Sequence, residues 1–220
     1  MAGPGIQVQP SASPIVRVAA VPSLPGPPSV RYLPPMVERV DPRSVSVRDL
    51  GESDIPSVLD YWYRSPPGFI ESLGADLDKL PAEARFAESL LQRIRANGAA
   101  GRSKLSALAI LLDGRFVGFH NLNPLTEGDF GVFHAHIARP EARRRGVGEC
   151  SYPRACRIYL ERFDLKRILF KTPLQNVGAI RVKEKLGIRC IGEEVVDFGV
   201  IRAGTRARVF ELTREEAGVA

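Results

Sequence analysis

The run Pro140-Glu141-Ala142-Arg143-Arg144-Arg145-Gly146-Val147-Gly148 constrains this chain more than any other stretch. An apolar, strand-like run over residues 131–138 precedes it, and a helix-like run begins at Val147. A strand, a basic glycine-containing loop and a helix N-terminus, in that order, build an anion site. The first helical turn carries N–H groups with no intrahelical acceptor, and the positive end of the helix dipole lies beside them. Gly146 and Gly148 have no Cβ, so a phosphate can approach their backbone closely. At this level the loop fits a nucleotide as well as any other phosphorylated ligand.

The flanking sequence supplies the scaffold. Val45 and Val47 alternate with polar neighbours, as in a half-buried strand. Ser53 is positioned to cap a helix in which Ile55, Val58, Leu59, Trp62 and Tyr63 form the inward stripe. Ser65-Pro66-Pro67-Gly68 ends it, and residues 69–80 read as a linker with one short helical turn. Pro81 opens a second helix, with Phe86, Leu90, Leu91 and Ile94 as its apolar stripe and Asn97-Gly98 at its end. Asp113-Gly114 between two apolar runs, residues 105–112 and 115–122, predicts an antiparallel hairpin.

Beyond the loop the pattern alternates. Residues 147–163 read as a helix with Cys156, Tyr159, Leu160 and Phe163 inward, and Pro153 is expected to kink or loosen it. A strand over residues 167–171, a helix over 176–186 closed by Gly187, and strands over 189–198 and 200–212 follow. Hairpins make antiparallel pairs and helical crossovers make parallel ones, so the expected fold is an α/β domain with a mixed sheet.

Composition narrows the function classes. No run approaches the ~18–20 apolar residues of a membrane span, so no membrane partner is expected. The net charge of +6 suits a phosphate-bearing ligand or nucleic acid, and equally a merely basic surface. A nucleic-acid role for Arg143-Arg144-Arg145 lacks aromatic interleaving and a recognition helix, and is disfavoured. Cys150, Cys156 and Cys190 are odd in number and fall inside elements, as expected for reduced thiols in a cytoplasmic protein. Half of the 18 prolines lie in the first 35 residues, where Arg17 and Arg31 are the only charges. Residues 1–42 therefore read as a disordered, Pro-rich tail.

The loop and the helix after it resemble the Gcn5-related N-acetyltransferase (GNAT) family. That family's hallmark is Arg or Gln, two residues, Gly, one residue, Gly or Ala. Arg143-Arg144-Arg145-Gly146-Val147-Gly148 matches it, after the usual Pro140-Glu141. Asn176-Val177-Gly178-Ala179, running on to Gly187-Ile188, resembles the family's Asn-x-x-Ala helix that ends in Gly-Phe, with Ile188 in place of the Phe. The resemblance spans roughly residues 44–213. It implies the acyl-CoA N-acyltransferase fold, α/β (α+β), with a mixed, centrally splayed sheet flanked by helices. The acetyltransferase domain would then occupy residues 43–215, with a C-terminal tail over 216–220.

What the resemblance implies for chemistry is specific. Acetyl-CoA would be the donor co-substrate, with no metal, and a primary amine of unknown identity the acceptor in direct transfer. The backbone of Ile137 and Ala138 would bind the pantetheine arm, and that of Arg145, Gly146, Val147 and Gly148 the pyrophosphate. Arg143 and Arg144 would add charge, and Asn176 would contact the cofactor while capping its helix. Family members often use a Tyr in that helix as the acid for the departing thiolate, where this chain has Lys183. Lys183 can stabilise a thiolate, or it can be an exposed helix residue.

The chain's three histidines, His120, His134 and His136, fall on the two strands beside the expected splay. His134 and His136, two apart, share a strand face and are candidate bases, although packed strand histidines read the same way. As a metal pair they lack a nearby Cys or carboxylate to complete a ligand set. His120, Asn121 and Phe69 are candidate acceptor contacts, with Glu71, Glu193 and Glu194 as weaker ones. A non-catalytic acyl-CoA-binding module is the alternative reading, motivated by Lys183. The chain is expected to be a monomer or homodimer.

Overall fold

The computed structural model describes residues 38–98, 103–197 and 199–219. Most of the expected Pro-rich tail, residues 1–37, lies outside the described residues. The elements run β1 (Val45–Asp49), α1 (Ile55–Tyr63), α2 (Phe69–Ser72), α3 (Glu83–Gly98), β2 (Ala107–Leu112), β3 (Arg115–Thr126) and β4 (Phe130–Ile137). Then come α4 (Val147–Arg162), β5 (Arg167–Pro173), α5 (Val177–Lys185), β6 (Arg189–Val196) and β7 (Thr205–Thr213). The seven strands form one sheet in the order β1-β2-β3-β4-β5-β7-β6. Every neighbouring pair is antiparallel except β4 with β5, which the α4 crossover makes parallel.

Side-chain alternation along the strands builds two layers. On β2, Ala107 and Ala109 face α1, α2 and α3 with Leu50, Val58, Tyr61, Ile70, Leu90 and Phe119. Leu108 faces the opposite way, into the larger core under α4 and α5 with Tyr159, Leu160, Ile168, Phe170 and Phe210. Tyr159 is fully buried, and its hydroxyl donates to the Ser106 carbonyl at 3.1 Å. α4 continues from Val147 to Arg162 with Pro153 inside it. α1 is capped not by Ser53 but by the turn before it: Asp54 is its N-cap, and the Asp54 carboxylate accepts from the Gly51 N–H at 2.8 Å. Val58 is buried and Ile55 and Trp62 pack against the same core, as the inward stripe expects, and Tyr61 joins them as a second buried residue.

The sheet opens at its centre. β4 pairs with β5 at only three positions, Phe130↔Arg167, Gly131↔Ile168 and Val132↔Leu169. Beyond Val132, β4 stays on β3 as far as Gly118↔Ile137, while β5 stays on β7 as far as Pro173↔Ala207. The two strands therefore diverge into a wedge, as the mixed, splayed sheet requires.

Two segments expected to lie outside the domain pack onto it. In the first, Val40 is buried, its N–H donates to the Arg145 carbonyl at 3.0 Å, and Arg39 pairs with Glu149 in the first turn of α4. In the second, Val219 is buried in the larger core, and Glu216 accepts from the Thr213 N–H at 2.8 Å. Both corrections have one cause, a few apolar residues inside stretches whose local composition reads as tail. Among the described residues no helix is long and apolar enough to cross a membrane.

Gly118 fixes the β3–β4 register beside the wedge. A Cβ there would collide with the His136 carbonyl, a backbone atom that cannot swing aside. Gly178, exposed in the first turn of α5, would meet nothing within 4 Å. Gly118→Ala is expected to cost about 1–3 kcal/mol, and Gly178→Ala to add about 0.4–1 kcal/mol. Urea unfolding of the two variants beside wild type checks both signs.

Candidate active site

The wedge opens into a cavity of about 390 Å³. β3 and β4 supply its floor, with Asn121, His134 and His136. β5 and α5 supply one wall, with Thr172, Asn176 and Lys183, and α4 contributes Tyr152. Helices α1–α3 close the far side. His134 and His136 do share a strand face, and that face lines the cavity.

His134 and His136 are both held by neighbouring groups. The β3–β4 register slips between Leu122 and Leu125, and there the Asn123 carbonyl meets His134 Nε2 at 2.7 Å. A carbonyl only accepts, so this contact places a proton on Nε2. His136 Nδ1 lies 3.2 Å from the Tyr61 hydroxyl, and its ring stacks on Phe119 with centroids 4.5 Å apart. Burial lowers the pKa of both rings, that of His136 well below 6.5, so both are neutral at neutral pH. Burial raises the Tyr61 pKa and keeps its phenol protonated.

Lys183 is not an exposed helix residue. It is only 4% exposed, and its Nζ donates to the Tyr152 hydroxyl at 3.2 Å. Nζ lies 5.2 Å from the Tyr152 ring centroid and 5.8 Å from that of Phe170. Burial pulls its pKa from 10.5 down to about 7, so it sits at the edge of protonation near neutrality. Tyr152 belongs to the site and has no strong signal in the sequence. It follows Gly148 by four residues, so it shares a helix face with the loop, and this is the one clue available. Burial raises its pKa and holds the phenol protonated.

Several expected contacts lie elsewhere. His120 is fully buried behind the sheet, packed against Phe133 and Tyr152, with Nε2 3.0 Å from Ser151 Oγ. Burial drops its pKa to about 3, and it does not line the cavity. Phe69 lies under the Arg143 guanidinium, 3.9 Å from its carbon, and against Tyr61. Arg143 itself donates to the Ile137 and Ala138 carbonyls, both at 2.9 Å. It therefore fastens the end of β4 rather than standing ready for a phosphate. Glu193 and Glu194 pair with Arg206 and Lys171, outside the cavity lining.

The loop retains the geometry of an anion cradle. Gly146 is the N-cap of α4 at φ 89°, a conformation that favours glycine, and Arg144 turns the chain with φ 64°. Gly146, Val147 and Gly148 bring N–H groups to the helix start, where the turn offers them no acceptor. A Cβ at Gly148 would come into ordinary contact with the Val182 and Tyr152 side chains, at 3.7–3.9 Å. Arg145 Nε donates to the Glu38 carbonyl at 3.2 Å, and Arg39 covers the Gly146 side. Asn176 caps α5 by accepting from the Ala179 N–H at 3.2 Å and also lines the cavity, so both of its expected roles are compatible. Among the described residues no group of three or more His, Cys, Asp or Glu side chains is placed to hold a metal.

Lys183→Met isolates the buried amine. Its folded pKa of about 7 lies below the unfolded 10.5, so the unfolded chain binds more protons in between. Wild-type stability should therefore rise relative to the variant from pH 7 to 10.5, by on the order of a few kcal/mol, and the difference should be flat below pH 7. Parallel urea titrations at pH 6, 7, 8.5 and 10 read it.

Similar solved structures share this architecture. A Vibrio cholerae spermidine N-acetyltransferase, in complex with CoA and spermine, aligns with a TM-score of 0.62 at 13% identity, over 80% of this chain and 98% of that one. Ribosomal-protein-S5-alanine acetyltransferase from Vibrio fischeri aligns at 0.61 and 15% identity, over 79% and 94%. Mycobacterium smegmatis RimJ, in complex with CoA-disulfide, aligns at 0.59 and 18%, over 78% and 83%. No curated protein sequence matches the chain. The acetyltransferase (GNAT) family model matches residues 68–188, more than half of the chain and both of the motifs around the wedge. The chain belongs to the GNAT acetyltransferase family.

Proposed function

We propose that the protein transfers an acetyl group from acetyl-CoA to a primary amine directly, without a covalent enzyme intermediate. The observation that carries this reading is the wedge itself: β4 parts from β5 after Val132, runs on toward the loop ahead of α4, and its gap opens on a cavity lined by His134, His136, Tyr152 and Lys183. A phosphate-tailed thioester fits that path, with its anionic end at the helix N-terminus and its acyl end among the titratable groups. The Vibrio cholerae and Mycobacterium smegmatis structures hold CoA species, and the spermidine and S5-alanine enzymes act on amines, which supports the same donor and reaction here.

The roles follow from charge. The amine must reach the thioester neutral and lose a proton as its nitrogen bonds to the carbonyl carbon. His134 and His136, neutral near pH 7, are the acceptors for that proton, directly or through one water. Backbone N–H groups on the diverging edge of β4 stabilise the charge that develops on the carbonyl oxygen. As the carbon–sulfur bond breaks, Tyr152 gives its phenolic proton to sulfur, and the positive charge of Lys183 steadies the phenolate until it is reprotonated. Lys183 thus occupies the helix position of the family's usual Tyr, and Tyr152 supplies the hydroxyl from the neighbouring helix.

CoA release from acetyl-CoA with a panel of amines tests the reaction. Tyr152→Phe is expected to lower kcat about 10²-fold or more with little change in KM for acetyl-CoA. The double variant His134→Ala/His136→Ala should lose a similar factor, and if it retains full turnover across pH 6–9 neither histidine is the base. Tight acetyl-CoA binding without turnover on any amine would instead favour a binding module.

A further inference from the structure

The part of the cavity beyond the histidines has a composition that selects its occupant. Its far wall is apolar: Val58, Trp62, Leu73, Leu80, Phe86 and Leu90. No Asp or Glu lines any part of the cavity among the described residues, and its titratable lining groups are Arg93, His134, His136, Lys171, Lys183 and the phenols. Glu194 is already paired with the lining Lys171 at 2.7 Å, and Asp197 with Lys79. The donor enters from the wedge between β4 and β5, so the space under α1–α3, across His136 from it, is left for the acceptor.

Resting on the acetyl-transfer reading, we infer that the acceptor is a primary amine on an apolar body and carries no second positive charge. An ammonium entering this cavity loses water and finds no carboxylate in return, so the amine binds as the neutral base. A monoamine can do so by losing one proton. A polyamine keeps at least one further charge, which would sit against hydrocarbon with no carboxylate in the lining to meet it. The same chemistry is offered by a free monoamine and by a peptide whose N-terminal residue is apolar.

Trp62 is the only tryptophan of the chain and lines the acceptor side, so its emission reports occupancy without any substitution. With CoA present at pH 8.5, 2-phenylethylamine should change that emission saturably, and spermidine should not at tenfold higher concentration. In CoA-release assays, 2-phenylethylamine or a Phe-led tetrapeptide should exceed spermidine at least tenfold in kcat/KM. Whichever of those two is the better acceptor assigns the source, free amine or peptide N-terminus. Leu73→Glu should narrow the preference toward spermidine while leaving the Kd for acetyl-CoA unchanged. Spermidine turned over as fast as the apolar amines would overturn the inference while leaving acetyl transfer standing. Failure to bind acetyl-CoA in calorimetry would overturn both.

Discussion

The short pairing between β4 and β5 is the constraint on which the rest of the molecule depends. Three paired positions hold the strands together at one end, and the α4 crossover sets their parallel direction. Past Val132 each strand is committed to its other neighbour, β4 to β3 and β5 to β7. The backbone groups facing the gap must then be satisfied by something other than the sheet, because unpaired buried groups are costly. Arg143 answers part of that need by donating to the Ile137 and Ala138 carbonyls. The remainder of the gap is the path assigned to the thioester.

The side chains around the wedge are tuned by burial more than by charge pairs. Desolvation is the leading influence on His120, His134, His136, Tyr152 and Lys183 alike, and in each it favours the neutral form. A neutral histidine accepts a proton, a neutral phenol can give one, and a lysine near pKa 7 can carry charge only when charge is needed. Two apolar layers provide this burial: the side chains under α1–α3 surround His136, and the core under α4 and α5 surrounds Tyr152 and Lys183.

The sequence made legible whatever rests on local rules. The Asp113-Gly114 turn, the glycine loop ahead of α4, and the Asn176 cap of α5 each declare themselves within a few residues, and each is present. His134 and His136 could be paired because strand alternation is strict. Lys183 could not be placed. Arg181, Glu184 and Lys185 beside it make the segment read as exposed, and only the approach of α5 to α4 buries it against Tyr152. Arg143, expected to add charge for the cofactor, also turns back on its own chain and donates to the Ile137 and Ala138 carbonyls six and five residues upstream, a local contact that a run of three arginines does not announce. His120 and Phe69 were placed near the site by position along the chain; they pack behind lining residues, His120 against Tyr152 and Phe69 against Tyr61, without lining the cavity themselves.

The central claim is that the wedge receives acetyl-CoA. A crystal structure with acetyl-CoA bound tests it most directly. The account predicts the pyrophosphate on the backbone of Gly146 to Gly148, the pantetheine arm between β4 and β5, and the thioester within reach of Tyr152. A donor bound elsewhere, or a wedge that stays closed to it while CoA occupies another surface, would contradict it.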